Sequence, residues 1–191
     1  MGEAALKRVT VDEFLAWHGE DEQRFELIGG EIVAMSPSMP YHGAIAGKVA
    51  ELVGQRLKPP CRVITEAGIR LSWRSDTYYL ADVAITCTPL GRSDWSVPNP
   101  VIIIEVLSPS TEAKDRGIKL LDYRHLPSVQ SIVLIASEEQ RVELWRRGEG
   151  AWTVTELEAA DRLELVTFGF DIPVEALYDG LDFSADAAAA R

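Results

Sequence analysis

Val101-Ile102-Ile103-Ile104-Glu105-Val106-Leu107 is one of the most apolar runs of the chain, and a single carboxylate interrupts it near its end. A stretch this apolar reads as a strand buried in the middle of a sheet. An ionised carboxylate carried there unpaired costs on the order of several kcal/mol, so Glu105 requires a partner. Two charged residues are candidates: Asp82, inside the apolar stretch Tyr78-Tyr79-Leu80-Ala81-Asp82-Val83-Ala84-Ile85, and Lys119, on the helix that should follow Glu105. Two acids and a lysine can make a metal-dependent phosphodiesterase.

Working outward, a helix is expected from Ser110 or Thr111, both acceptable N-caps after Pro109, to about His125 before Leu126-Pro127. Ser131 to Ala136 then reads as a strand. Strand, helix, strand is a crossover signature, so this strand and that of Glu105 are expected as parallel neighbours. Upstream, Thr10-Val11-Asp12-Glu13 has the form of a capping box, opening a short helix that ends near Gly19. Phe25 to Ile28 and Glu31 to Met35 read as a hairpin turning at Gly29-Gly30. Ile45, Val49, Leu52, Val53 and Leu57 recur with helical period over about His42 to Lys58, where Pro59-Pro60 stops the helix. Further strands are expected at Arg62 to Glu66, Ile69 to Trp73, Tyr78 to Thr86, Arg141 to Arg147 and Trp152 to Leu157, with a last short helix at Val174 to Tyr178. The fold class is α/β (α+β), a mixed central sheet flanked by helices.

The 191 residues fit one domain over residues 1–181, since a chain of this order buries roughly 70% of its unfolded surface; residues 182–191 read as a frayed tail. The net charge of -11 favours solubility and works against indiscriminate binding to nucleic acid or anionic membranes. It does not exclude a nucleic-acid substrate, because carboxylates that hold a cation add to the negative total. Cys61 and Cys87 lack CxxC spacing and suggest a reducing compartment rather than a disulfide framework. Nothing approaches the ~20 apolar residues of a membrane span, and a cytoplasmic protein is expected.

Because side chains alternate across a strand, Asp82 is expected to share a face with Leu80 and Ala84, and Glu105 with Ile103 and Leu107. If the two strands pair, the carboxylates meet at one end of the sheet, and the backbone carbonyl of Val106 completes an all-oxygen set suited to Mg²⁺ or Mn²⁺. Lys119 shares a helical stripe with Asp115 and Tyr123 and could reach in from above, where its ammonium would orient the nucleophile or stabilise charge. The competing reading makes Glu105 and Lys119 a structural ion pair with no metal. His42 opens a helix after a proline-rich loop and could touch phosphate, although a lone histidine is more often a surface or capping residue. Glu26 alternates with Phe25 and Leu27, which usually marks a solvated face. The basic residues Lys114, Arg116, Lys119 and Arg124 could track phosphate or simply form a solvated helix face.

The stretches FELIGGEIVAMSPS, His42-Gly43, LADVAI and PVIIIEVLSPST, followed by Lys119 and Tyr123, together resemble the Uma-two family of restriction-endonuclease-like proteins within the PD-(D/E)XK nuclease superfamily. The resemblance spans about residues 10 to 180. It implies a restriction-endonuclease-like mixed sheet, with Asp82 and Glu105 in the places of the superfamily's metal-binding acids, Glu26 as an additional acid near the site and His42 at a position where histidine is frequent. Two positions depart from the pattern. Ala81 stands where proline usually precedes the first acid, and Leu107 stands where a lysine usually follows the Glu by two residues, so Lys119 would have to supply the amine.

The resulting expectation is a Mg²⁺- or Mn²⁺-dependent endonuclease acting on DNA. Asp82, Glu105 and Val106 would hold the metal, Lys119 would act at the nucleophile, and Glu26 and His42 would assist. The alternative is a catalytically inactive nuclease-fold binding or regulatory protein. A homodimer is expected from the number of sheet edges such a fold leaves to be covered.

Overall fold

The computed structural model of the chain describes residues 8–17, 24–109 and 111–183. Helix α1 (Val11–Ala16) begins with the expected capping box, Thr10 and Glu13 bonding each other's backbone N–H, and ends at Trp17; Gly19, its expected terminus, lies outside the described residues. The hairpin β1 (Phe25–Ile28) and β2 (Glu31–Ala34) turns on Gly29 and Gly30, both at positive φ. Helix α2 covers Pro40–Gly54, starting at the proline because its fixed φ suits the first helical turn. It is followed by β3 (Arg62–Arg70), β4 (Tyr78–Thr86) and β5 (Pro100–Leu107).

The crossover is one irregular helix in three parts: α3 (Glu112–Lys114), a π-helical stretch (Asp115–Lys119) and α4 (Leu120–His125). Thr111 is its N-cap, and Ser110, the other candidate, lies outside the described residues. Strands β6 (Ser131–Ala136), β7 (Arg141–Arg147) and β8 (Trp152–Glu158) complete the large sheet. A hairpin not foreseen from sequence, β9 (Arg162–Leu165) and β10 (Phe170–Pro173), leads into a 3₁₀ turn at Glu175–Tyr178.

The large sheet runs β2-β1-β4-β5-β6-β7-β8, with β3 also on β4. Strands β5 and β6 are parallel neighbours, as the crossover requires, and the other pairs are antiparallel, so the sheet is mixed. Both faces are covered. Ile45, Val49 and Val53 of α2 pack on Val83, Ile85, Ile102, Ile104 and Val106. On the other face Leu120 and Tyr123 pack with Ala84, Ile103, Leu107, Ile132 and Leu134. Burial on both faces is why β5 is apolar at nearly every position.

Strand β4 positions the site. Strand β3 follows it along one edge from Arg62↔Thr86 to Arg70↔Tyr78. Its other edge is shared: β1 pairs only at Tyr78, and β5 only from Val83 onward. Between those points the edge of β4 has no partner strand. Glu66 on β3 takes a positive φ and, with Asp82 opposite it, drops out of the ladder while the register is kept. As a result the expected alternation fails at Asp82: Tyr79, Ala81 and Ala84 pack in one cluster, Val83 and Ile85 in another, and Leu80 against a third around Leu27.

Four expectations need correction. Arg62 to Glu66 and Ile69 to Trp73 are not two strands but one, because the break at Glu66 bends β3 without shifting its register. The helix ends at Gly54 rather than Lys58. Residues 182 and 183 are pinned rather than frayed, with the Tyr41 hydroxyl donating to the Asp182 carbonyl (2.6 Å) and Phe183 against Tyr41 and Tyr178, while 184–191 lie outside the described residues. Cys61 and Cys87 are joined in a disulfide, because the β3/β4 register places them opposite each other one step beyond Arg62↔Thr86. The cysteines therefore give no support to a reducing compartment. No helix among the described residues is long and apolar enough to cross a membrane.

Gly68 tests the packing of β3. A Cβ there would lie 2.4 Å from the Trp95 carbonyl oxygen and 1.8 Å from the Tyr78 hydroxyl, and the backbone cannot yield because the Val97 N–H donates to the Gly68 carbonyl (2.8 Å). Gly68→Ala is expected to cost about 1–3 kcal/mol by overpacking, lowering Tm by roughly 3–10 °C in a chain of this length, as read by thermal denaturation.

Candidate active site

The unpaired stretch of β4 is completed by side chains. The Leu80 N–H donates to Glu26 Oε1 (3.0 Å), and the Leu80 carbonyl accepts from Lys119 Nζ (3.3 Å). The Asp82 N–H donates to Glu105 Oε2 (3.3 Å), while Asp82 Oδ2 accepts from the Val106 N–H (2.7 Å). Asp82 and Glu105 thus bridge β4 and β5 reciprocally at the point where the strands part.

Lys119 sits at the centre of this junction with 2% of its surface exposed. Its Nζ lies 2.9 Å from Glu26 Oε1, 3.2 Å from Glu105 Oε1 and 3.3 Å from Asp115 Oδ1. The Tyr123 hydroxyl donates to the same Glu105 oxygen (2.7 Å). Glu26 is completely buried, contrary to the usual solvated face of an alternating strand, because the crossover helix lies over it and delivers two ammonium groups: Lys119 to Oε1 and Lys114 to Oε2 (2.6 Å). His42, in the first turn of α2, brings Nε2 to 3.2 Å from Asp82 Oδ2.

A cavity of about 260 Å³ opens here, with Asp82, Glu105, Val106, His42, Lys119 and Asp115 in its wall. Glu26 stands behind Lys119 and does not line it. The segment from Met35 to Met39 also forms part of the wall, tied down where Arg24 donates to Ser38 (2.8 Å) and pairs with Glu66 (2.6 Å).

The electrostatics follow from burial opposed by pairing. Burial pushes the Glu105 carboxyl up to about 8, with Lys119 pulling it back and Asp82 and Asp115 adding to the rise. Burial would also raise Glu26, but Lys119 and Lys114 outweigh it and hold that carboxyl below its ordinary value. Desolvation works against the charge of Lys119, yet Glu105, Glu26 and Asp115 overcome it and keep the ammonium protonated. The hydrogen bond to Asp82 raises His42 above the ordinary histidine value, and contact with the Val106 backbone helps.

The contacts of Asp82 run through Oδ2 and the shorter ones of Glu105 through Oε1, so each acid keeps a second oxygen less engaged beside the cavity. With the Val106 carbonyl this is a hard-oxygen set of the kind Mg²⁺ and Mn²⁺ take. Among the described residues no three or more acids, histidines or cysteines are spaced to surround one ion, so a cation here would complete its shell with a carbonyl and water.

The structure brings Asp82, Glu105, Lys119, Glu26 and His42 together. Sequence reasoning did not select Lys114, which it grouped with a solvated face, nor Asp115, which it noted only as a stripe neighbour of Lys119. The four-residue spacing from Asp115 to Lys119 was the available signal.

The model of the Uma2 family, described as a "Putative restriction endonuclease", matches residues 11–175. The chain belongs to this family. Among similar proteins are two from Synechocystis sp., the uncharacterized protein slr1290 and the uncharacterized protein sll1609. The first is 31% identical over 183 residues, 94% of this chain and 96% of that protein; the second is 29% identical over 160 residues, 81% and 90% of the two chains. The fold is like that of a crystal structure from Anabaena variabilis described as a "putative nuclease belonging to DUF820", with a TM-score of 0.70 and 23% identity over 88% of this chain and 97% of that one. This Uma2 chain therefore has a restriction-endonuclease-like fold, as the sequence resemblance implied.

Two outcomes test the charge network. Lys119→Ala leaves Glu105 and Asp115 buried without their ammonium, and is expected to cost about 3–5 kcal/mol, a fall in Tm on the order of 10 °C. The second concerns pH. Folded Glu105 and His42 bind protons more tightly than their ordinary values of 4.5 and 6.5, so both favour the fold at low pH and lose that contribution as pH rises, Glu105 between 4.5 and about 8. Glu26 has the opposite sign and matters only below 4.5. In chelator, stability is expected to fall from pH 5 to pH 8 by about 1.4 kcal/mol per pH unit from Glu105 alone, a drop in Tm of roughly 3 °C, with His42 adding to the slope above 6.5. Glu105→Gln should flatten most of that slope in a pH series of melts.

Proposed function

We propose that this Uma2 protein is a Mg²⁺- or Mn²⁺-dependent nuclease that hydrolyses phosphodiester bonds in DNA. The observation that carries the reading is the reciprocal Asp82/Glu105 bridge at the parting of β4 and β5, with the ammonium of Lys119 buried against Glu105. Asp82, Glu105 and the Val106 carbonyl would hold the cation. When bound, such an ion supplies positive charge to a scissile phosphate and acidifies water.

The chain's own residues do the rest. Lys119 opposes the rise that burial imposes on Glu105 and places a fixed positive charge beside the reacting phosphate. Glu26, both of whose oxygens are engaged, anchors Lys119 and Lys114 rather than reaching the substrate. His42 fixes the orientation of Asp82, and Tyr123 that of Glu105. The DNA preference is drawn from the family description and the superfamily resemblance.

A second reading is favoured by a different observation. The basic side chains near the cavity are already paired, Arg24 with Glu66, Lys114 with Glu26, and Arg116 with Glu112 and Glu143, which suits an inactive protein stabilised by internal ion pairs. One experiment separates the two. Incubated with supercoiled plasmid and Mn²⁺, the wild type is expected to nick or linearise it, and Glu105→Gln to lose at least about 10²-fold of that rate. Calorimetric titration with Mn²⁺ is expected to show binding that Asp82→Ala abolishes. Intact plasmid, together with a Mn²⁺ isotherm unchanged by Asp82→Ala, would establish the inactive reading.

A further inference from the structure

An ammonium has three N–H bonds, and in Lys119 three acceptors take them: Glu26 Oε1 at 2.9 Å, Glu105 Oε1 at 3.2 Å and the Leu80 carbonyl at 3.3 Å. Lys119 therefore has no donor to spare for a water entering the cavity.

Asp115 differs. Its side chain is 4% exposed, and the residue lies in the cavity wall. Its Oδ1 is buried without a hydrogen bond among the described residues. Lys119 Nζ is 3.3 Å away, close enough for Coulombic attraction, but its N–H bonds serve the other acceptors. A buried polar atom left unbonded loses its hydration with nothing to replace it, so such an atom calls for a partner supplied from outside the protein. The stretch Asp115–Lys119, which carries both buried charged residues, is π-helical, a local geometry frequent at functional sites.

The chemistry of the missing partner is constrained. A carboxylate only accepts hydrogen bonds, and a phosphodiester, itself anionic and without donors, is repelled by it. A third-ligand role beside Asp82 and Glu105 does not fit, because the described acids are not grouped in threes around one point. A neutral donor standing between Asp115 and the phosphate fits both conditions.

We propose that Asp115 Oδ1 holds and orients the water that attacks the phosphodiester, a role that rests on the nuclease reading above. A lone pair of the water oxygen forms the new bond to phosphorus. The bond from phosphorus to the leaving sugar oxygen breaks with its electron pair, the water proton passes to Asp115, and the leaving oxygen takes a proton from solvent. Asp115 is then a catalytic residue, and Lys119 the fixed charge beside it.

The test uses the full chain, supercoiled plasmid and Mn²⁺. Asp115→Asn keeps the shape and removes the charge; it is expected to slow cleavage by about 10²-fold or more while Mn²⁺ binding by calorimetry stays near that of wild type. Cleavage by Asp115→Asn within about threefold of wild type overturns the role. A wild type that leaves plasmid intact overturns the nuclease reading and this role with it, so the two failures are distinguishable. Should Asp115→Asn not fold, a high-resolution crystal structure of the wild type decides. A water at about 2.6–3.2 Å from Oδ1, facing the cavity, is expected; an Oδ1 satisfied by a protein group, with no water on it, overturns the role.

Discussion

The edge of β4 between Tyr78 and Val83 is the constraint on which the site depends. A buried strand edge cannot leave its N–H and C=O groups unbonded, yet β1 and β5 stop short of each other along it. The groups left over are Leu80 and Asp82, and carboxylates and an ammonium reach in from elsewhere to bond them. A third strand filling the gap would satisfy the same groups and abolish the cavity. The site is thus a local failure of sheet pairing, stabilised by charged side chains instead of backbone.

That substitution requires the charges to be paired within a low-dielectric interior, and the pairing explains which element supplies which residue. Leu107, two residues after Glu105, lies on the same face of β5 but belongs to the apolar cluster with Ile103, Leu120 and Leu134. A lysine there would have to be carried through that cluster. The crossover helix already passes over the open edge, so Lys119 arrives from it together with Lys114 and Asp115. Glu26 answers both ammonium groups from the β1 hairpin. Three segments distant in sequence are locked by one set of contacts, which ties the strength of the fold at this end of the sheet to the integrity of the site.

Much of this was readable from residues alone, for reasons that differ by element. The capping box at Thr10, the Gly29-Gly30 turn and the parallel crossover are governed by local chemistry or by handedness, and they appear as expected. The meeting of Asp82 and Glu105 followed from pairing two apolar strands. What sequence hid depends on partners far along the chain. The four residues of β1 reveal a face but not what covers it, so Glu26 looked solvated. The disulfide of Cys61 and Cys87 is set by a register between strands. The break at Glu66 and Asp82 looks locally like the end of one strand and the start of another. The spacing of Asp115 and Lys119 puts them on one face but does not announce that the stretch is π-helical, and β9 and β10 are too short for alternation to distinguish them from loop.

The overall charge of -11 bears on how a polyanion could ever reach this cavity. Nucleic-acid binding ordinarily draws its strength from cationic side chains that replace counterions along the phosphates, and the basic residues around the mouth are spent on internal pairs. The carboxyl groups of Glu26, Glu105 and Asp115 face the ammonium groups of Lys114 and Lys119, and that of Asp82 faces His42, so little of the site's positive charge is left to attract a phosphate. Under the proposed function that charge has to be supplied by a bound divalent ion before a phosphodiester can approach. Affinity for substrate is then conditional on the cation and local to the scissile phosphate, with little contribution from the flanking strand. Such a protein would bind nucleic acid weakly along its length and act wherever one phosphate can enter.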